Sequence, residues 1–186
     1  MIQKYLEWSM GWWKWLLSIP ISNNPAYDPI GYKTGINQNN SEVFYLCQTI
    51  ESSKPFPKRS ITVPRDKFIF LPIINWLSYQ EQGQSLSSLK SVANERMDEI
   101  GFLQLSLNNS ILNIDFQDFR VQTPFFEIDL PNENILNIKS GKTKMISDGY
   151  WVCLKPLRND LDMESFGSCS NGITEIGVNY ALKLDN

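Results

Sequence analysis

Histidine is missing from all 186 residues. A Ser-His-Asp triad or Cys-His dyad of the common kind is therefore excluded. So are imidazole zinc sites, facial-triad iron and histidine general bases. Cysteine is sparse: Cys47, Cys153 and Cys169 fit neither a CxxC nor a zinc spacing. No phosphate loop is present. Positive charge is not in excess, since 17 Lys and Arg face 20 Asp and Glu for a net −3. That balance offers nucleic acid no basic stripe, so no nucleic-acid partner is expected. Long apolar runs are also lacking, and nothing reaches the roughly 18 residues that a bilayer span requires.

What is present suits a folded chain: 42% of residues are apolar and 12% aromatic. Residues 1–19 look superficially like a signal peptide. Glu7 and Lys14 interrupt the apolar stretch, however, and no small-residue cleavage site follows, so the segment reads as part of the fold. Leu6, Met10, Trp13 and Leu17 form one helical stripe, with Tyr5, Trp8, Trp12, Trp15 and Leu16 in an adjoining one. Pro20 stops this helix. Residues 20–41 have no helix or strand period and read as a long polar connection, either wrapping the core or functional.

Strand-like segments dominate the remainder. Residues 42–50, 59–63 and 67–76 come first, with Pro72 marking an edge or a bulge in the third. Residues 85–100 form an amphipathic helix through Leu86, Leu89, Val92, Ala93, Met97 and Ile100, capped by Ser85 or Ser87 and stopped by Gly101. Residues 102–115 read as a hairpin about Asn108-Asn109-Ser110. Short strands follow near 119–123, 125–130, 149–154, 162–166 and 176–184. Cys47 and Cys153 fall in apolar strands and read as small buried hydrophobes. Cys169, in a Gly/Ser turn, reads as more exposed.

Several side chains are candidates for chemistry, each with a plainer structural role beside it. The indoles of Trp8, Trp12, Trp13 and Trp15 could stack a sugar or ligand or meet a membrane interface, with Trp12 and Trp15 the preferred pair, or they could simply pack. Asp28 and Gln38, in the long connection, could ligate a cation or ligand, or satisfy turns. Asp160, Asp162 and Glu164 alternate, so a strand would put them on one face, suited to solvent or Ca²⁺. Asp148-Gly149 reads as a turn into a buried strand that presents Tyr150. Arg120 lies among apolar residues and needs a carboxylate, for which Asp148 is the expected partner. Asp115, Asp118, Glu127 and Asp129 are further acids from which a glycosidase pair could come. Lys54, Lys58, Arg59, Arg65 and Lys67 cluster around two prolines and read as solvated strand-edge charge, with an anion contact as the alternative.

The segments WWKWLLSIP (12–20), NPAYDPIG (24–31), RSITVPRDKFIFLPIIN (59–75), FRVQTPFF (119–126) and SDGYWVCLKPL (147–157) occur in an order that resembles a family of microbial proteins, many of them exported. The family carries W-W-x-W, N-P-x-x-D-x-x-G, V-P-x-x-K-x-x-x-x-P-x-x-N and D-G-Y-W-x-x-L-x-P-L motifs and has no established activity. The resemblance covers roughly residues 8–184 and implies a shared fold and an exported or cell-surface location. Two family cysteines are replaced here by Thr34 and Ile61. The family's Gly-His turn is replaced by Arg158-Asn159-Asp160-Leu161-Asp162.

The expectation is a mainly β, antiparallel, sandwich-like single domain over 1–186. Residues 1–41 supply the Trp-rich helix and wrapping loop. Residues 42–186 supply the β core, with one helix inserted at about 86–100. The expected function is a non-enzymatic binding or structural module with a protein or carbohydrate ligand, acting through Trp12, Trp15, Asp28, Gln38 and Tyr150. No cofactor is expected beyond Ca²⁺ at Asp160, Asp162 and Glu164. The alternative is a carboxylate-based hydrolase or carbohydrate-active protein.

Overall fold

The computed structural model describes residues 2–50, 55–81, 83–170 and 175–185. Lys54 of the basic cluster lies outside them. Helix α1 spans Ile2–Leu17, and helix α2 spans Leu86–Asp98 with the Ser85 hydroxyl accepting from the Ser88 N–H. The strands are β1 Val43–Tyr45, β2 Lys58–Val63, β3 Phe68–Tyr79, β4 Ile100–Leu107, β5 Ser110–Ile111, β6 Arg120–Gln122, β7 Phe126–Leu130, β8 Gly141–Leu154, β9 Leu161–Cys169 and β10 Glu175–Leu184.

They form two sheets. The first runs β1-β3-β8, with β6 and β7 both pairing with β8. Strands β6 and β7 behave as one edge strand broken around Pro124, which cannot donate to a ladder. The second sheet runs β2-β10-β9-β4-β5. Alternating side chains from the two sheets meet in a shared core: Ile69, Leu71, Ile73 and Val152 from one, Val63, Met163, Val178, Tyr180 and Leu182 from the other. The opposite face of the first sheet is also covered, by α1. There Trp8, Trp12, Trp13 and Trp15 are all buried against Phe70, Tyr45, Met145 and Trp151. Burial on both faces explains why β3 reads as an almost unbroken apolar run. Helix α2 covers the far end of the first sheet, packing Leu89 and Ala93 on Ile146 and Met97 on Ile74 and Tyr150.

The mainly β, sandwich-like fold with a Trp-rich N-terminal helix and one inserted helix is what the sequence suggests. Pairing is not antiparallel throughout: β1 runs parallel to β3 and β2 parallel to β10, so each sheet is mixed. The long connection 20–41 closes the exposed edges of these two strands. The Gln38 amide imitates a neighbouring strand, with Oε1 accepting from the Tyr45 N–H at 3.0 Å and Nε2 donating to the Tyr45 carbonyl at 2.8 Å. On β2 the Ser60 N–H donates to the Ile30 carbonyl at 3.3 Å.

Local expectations are corrected at several points. Of residues 42–50 only Val43–Tyr45 join a ladder, although the chain stays buried through Thr49. Pro72 marks a bulge in the centre of a sheet rather than an edge. Gly101 does not end α2; Glu99 caps it, and Gly101 sits in β4 at a register shift, close against Ser170. Asp148-Gly149 is not a turn but the middle of β8, pressed against Asn75. Arg59 is not solvated charge: its side chain faces the core and is 0% exposed. Cys47 is buried, Cys153 and Cys169 are half-buried, and all three are free thiols.

Candidate functional site

The indoles of α1 are fixed by hydrogen bonds as well as packing. Trp12 donates to the Leu46 carbonyl at 2.7 Å, Trp13 to the Ser147 hydroxyl at 2.7 Å, and Trp15 to the Ile36 carbonyl at 2.8 Å. These bonds, with packing on β6, β7 and β8, seat the helix on the first sheet. Its first two turns bring Tyr5 and Trp8 against Phe68 and Phe70, near where β8 finishes and β1 and β3 begin. The register Val43 to Phe68 and Ile69 to Leu154 places those three strand ends side by side.

A cleft of about 470 Å³ opens beside these turns. Its floor is Tyr5, Trp8, Phe68 and Cys153; its rim is Lys4, Glu42, Asp66 and Lys155. The Trp8 ring lies 5.5 Å from Phe68 and 5.7 Å from Phe70, and Tyr5 stands edge-on to Phe70 at 5.5 Å. On the rim, Lys4 Nζ pairs with Glu42 Oε2 at 2.5 Å and lies 5.8 Å from the Trp8 ring centre. The hydrogen bond to Glu42 holds the Lys4 ammonium above the ordinary lysine range. Burial pushes the Tyr5 hydroxyl up to about 12 and the Cys153 thiol up to about 11. At neutral pH both are protonated, so the floor is uncharged and Cys153 is a poor nucleophile.

The residues singled out from sequence are not brought together. Trp12, Trp15 and Gln38 gather near Tyr45, where Trp15 stacks on the Tyr45 ring at 5.7 Å. Trp15 and Tyr45 also edge a more open hollow of about 340 Å³ with Lys14, Asn37, Asn39 and Asn40. Both rings are buried, so no free aromatic face remains there for a sugar. Asp28 lies elsewhere, its carboxylate accepting backbone N–H groups of Ile30 at 3.1 Å and Lys33 at 2.6 Å. Tyr150 is buried on the α2 side of the sheet, its hydroxyl accepting from Gln117 at 3.2 Å.

Asp162 and Glu164 do share the outer face of β9, while Asp160 precedes the strand and pairs with Lys183 at 3.2 Å. Among the described residues no group of three or more His, Cys, Asp and Glu could hold a metal ion. The remaining candidate acids are dispersed. Asp148 is clasped by Arg120, Asp115 caps a short 3₁₀ turn, and Glu127 and Asp129 point outward from β7. Trp8 is one of the four indoles that the sequence offers as a stacking platform, and it lines this cleft, whereas Tyr5 stands out only as part of a helical stripe. Phe68, Asp66 and Lys155 carried no signal, because only pairing of distant strands brings them to the same cleft.

No described helix is long and apolar enough to cross a membrane. Comparison with family models, with curated proteins and with solved structures found no match to this chain.

Proposed function

We propose that this protein is a non-enzymatic binding module whose recognition site is the cleft under the first two turns of α1. One observation carries this reading. The cleft joins an aromatic and apolar floor to a rim of charged groups, the lining that orients a small ligand in a concave site. Of the acids from which a glycosidase pair could come, Asp148 is clasped by Arg120, and none of Asp115, Glu127, Asp129 and Asp148 lines the cleft. Two segments behind the proposed kinship with the exported microbial family, 63–75 and 148–157, supply Asp66, Phe68, Cys153 and Lys155. Heteronuclear NMR with a set of small aromatic and aliphatic compounds tests the site. Shifts should concentrate on the amides of Lys4, Tyr5, Trp8, Phe68 and Cys153. Shifts centred elsewhere, or none at all, would defeat the reading.

A carboxylate-based hydrolase is favoured by one feature: Glu42 and Asp66 line the same cleft beside Trp8. Both carboxylates are exposed, and Glu42 is already paired with Lys4. A glycosidase acid normally sits buried in an apolar pocket, whereas both of these side chains are exposed. Release of nitrophenol from a panel of nitrophenyl glycosides, lost in Glu42→Gln and Asp66→Asn, would reverse this preference.

A further inference from the structure

The rim charges of the α1 cleft are not equivalent. Lys4 and Glu42 neutralise each other at 2.5 Å, and Lys4 leans over Trp8. Lys155 and Asp66 line the same cleft, are exposed, and make no ion pair among the described residues. One unpaired cation and one unpaired anion therefore face an apolar floor.

Their origins hold them apart. Lys155 follows the end of β8, Asp66 lies in the turn entering β3, and Glu42 precedes β1. Strands β8 and β3 are neighbours, and extending the register Ile69 to Leu154 sets Lys155 level with Phe68, two residues from Asp66, so the two backbone positions are roughly 8 Å apart at ordinary strand spacing and rise. A purely anionic ligand would meet Glu42 and Asp66 as well as the lysines. A purely cationic one would meet Lys4 and Lys155 as well as the acids. A neutral apolar ligand would shield Lys155 and Asp66 from water without replacing that water. A molecule with one charge of each sign at its two ends, and an apolar body between them, is met favourably at every point of the rim and the floor.

Resting on the cleft as the recognition site, we infer that its ligand is a short zwitterion with an apolar or aromatic body, of the size and chemistry of a free dipeptide. In this arrangement the ligand ammonium meets Asp66, the ligand carboxylate meets Lys155, and the side chains lie on Tyr5, Trp8 and Phe68. The cleft volume falls within the range of about 300–1,000 Å³ typical of small-molecule sites.

Titration calorimetry of the full chain with four forms of one dipeptide tests this. The probes are phenylalanyl-leucine, its N-acetyl form, its C-amide, and the form blocked at both ends. The free dipeptide should bind most tightly, and blocking either end should weaken binding about three- to fivefold, as expected of partly exposed ion pairs. Asp66→Asn should erase the penalty of N-acetylation only, and Lys155→Met the penalty of C-amidation only. Both side chains are exposed, so the unfolding temperature should be unchanged. Equal binding of all four forms would overturn zwitterion recognition and leave the cleft as a site for apolar ligands. Tighter binding of a singly charged form would overturn it as well. No binding of any form would overturn zwitterion recognition too, and the absence of amide shifts at Lys4, Tyr5, Trp8, Phe68 and Cys153 with the small aromatic compounds as well would defeat both readings.

Discussion

Arg120 meets the buried Asp148 side-on, with Nε 3.2 Å from Oδ1 and Nη2 2.8 Å from Oδ2. The pair joins neighbouring strands, since Arg120 lies opposite Tyr150 and Gln122 opposite Asp148. The rest of the guanidinium reaches α2, through Asp98 Oδ1 at 2.5 Å and the Asn94 carbonyl at 3.0 Å. One side chain thus fastens the inserted helix to the first sheet. The Arg120–Asp148 contact is the partner assignment expected from the sequence, and it lies well inside ion-pair distance.

Arg120→Met should destabilise the fold by roughly 3–5 kcal/mol, because Asp148 is left buried without its cation. Asp98→Asn should cost no more than about 1 kcal/mol, since that carboxylate is more than half exposed. Urea unfolding of the single variants and of Arg120→Met/Asp148→Leu provides the check. The double variant should recover much of the loss, because neither charge is then stranded. If Arg120→Met proves as mild as Asp98→Asn, the clasp is not structural.

Arg59 differs from Arg120 in having no carboxylate in ion-pair contact among the described residues. Its Nη1 donates to the Cys47 carbonyl and, at 2.9 Å, to the Tyr180 hydroxyl; Nη2 donates to the Pro25 carbonyl at 2.7 Å. The fork ties β2 to β10 and to the wrapping loop. Arg59→Met should cost about 2–4 kcal/mol by leaving buried acceptors unpaired. Arg59→Lys should not rescue it, because one ammonium lacks the planar fork that reaches all three groups. Rescue by lysine in thermal melts would show that charge alone matters.

Asp28 supplies an acid-sensitive contribution. Burial alone would raise its pKa, but the N–H groups of Lys33, Ile30 and Gly31, with the field of Arg59, hold it below the ordinary carboxylate value. The folded state therefore favours the ionised form. Its stabilisation is complete above the unfolded pKa of about 4 and is lost as pH falls through the lower folded value. Asp28→Asn should lower stability at pH 7 and flatten its decline as pH falls below about 4. A parallel decline in both proteins would remove Asp28 from the acid response.

Gly149 tests the backbone approach of β3 and β8. A Cβ there would lie 2.5 Å from the Asn75 Cβ and 2.9 Å from its Cα, so the strands would have to separate. Gly149→Ala should cost about 1–3 kcal/mol as overpacking. Gly35→Ala is the control, since nothing lies within 4 Å of a Cβ at that position. It should change stability by less than about 0.5 kcal/mol. Comparable losses in both variants would show that close packing is not the reason for glycine at 149.

By itself the sequence determined what depends on neighbours in the chain. The alternation of Val178, Tyr180 and Leu182 marked a strand with one face in the core, and Ser85 marked the start of α2. The tight turn at Asn108 and Asn109 was legible because asparagine tolerates the positive φ angles of 48° and 62° found there. The Arg120–Asp148 pair was legible because a charge among apolar residues demands an opposite one. Only the tertiary structure decided the parallel pairing of β1 with β3 and of β2 with β10, the full burial of Arg59 and the place of Gly149 within a strand. Those depend on which distant segment lies alongside, and a two-residue period carries no record of that. The cleft is the extreme case. Tyr5, Glu42, Asp66, Phe68 and Lys155 come from a helix, two strand starts, a turn and a strand end. They line one cleft because strand pairing sets the ends of β8, β1 and β3 side by side and α1 packs Tyr5 and Trp8 against β3 there.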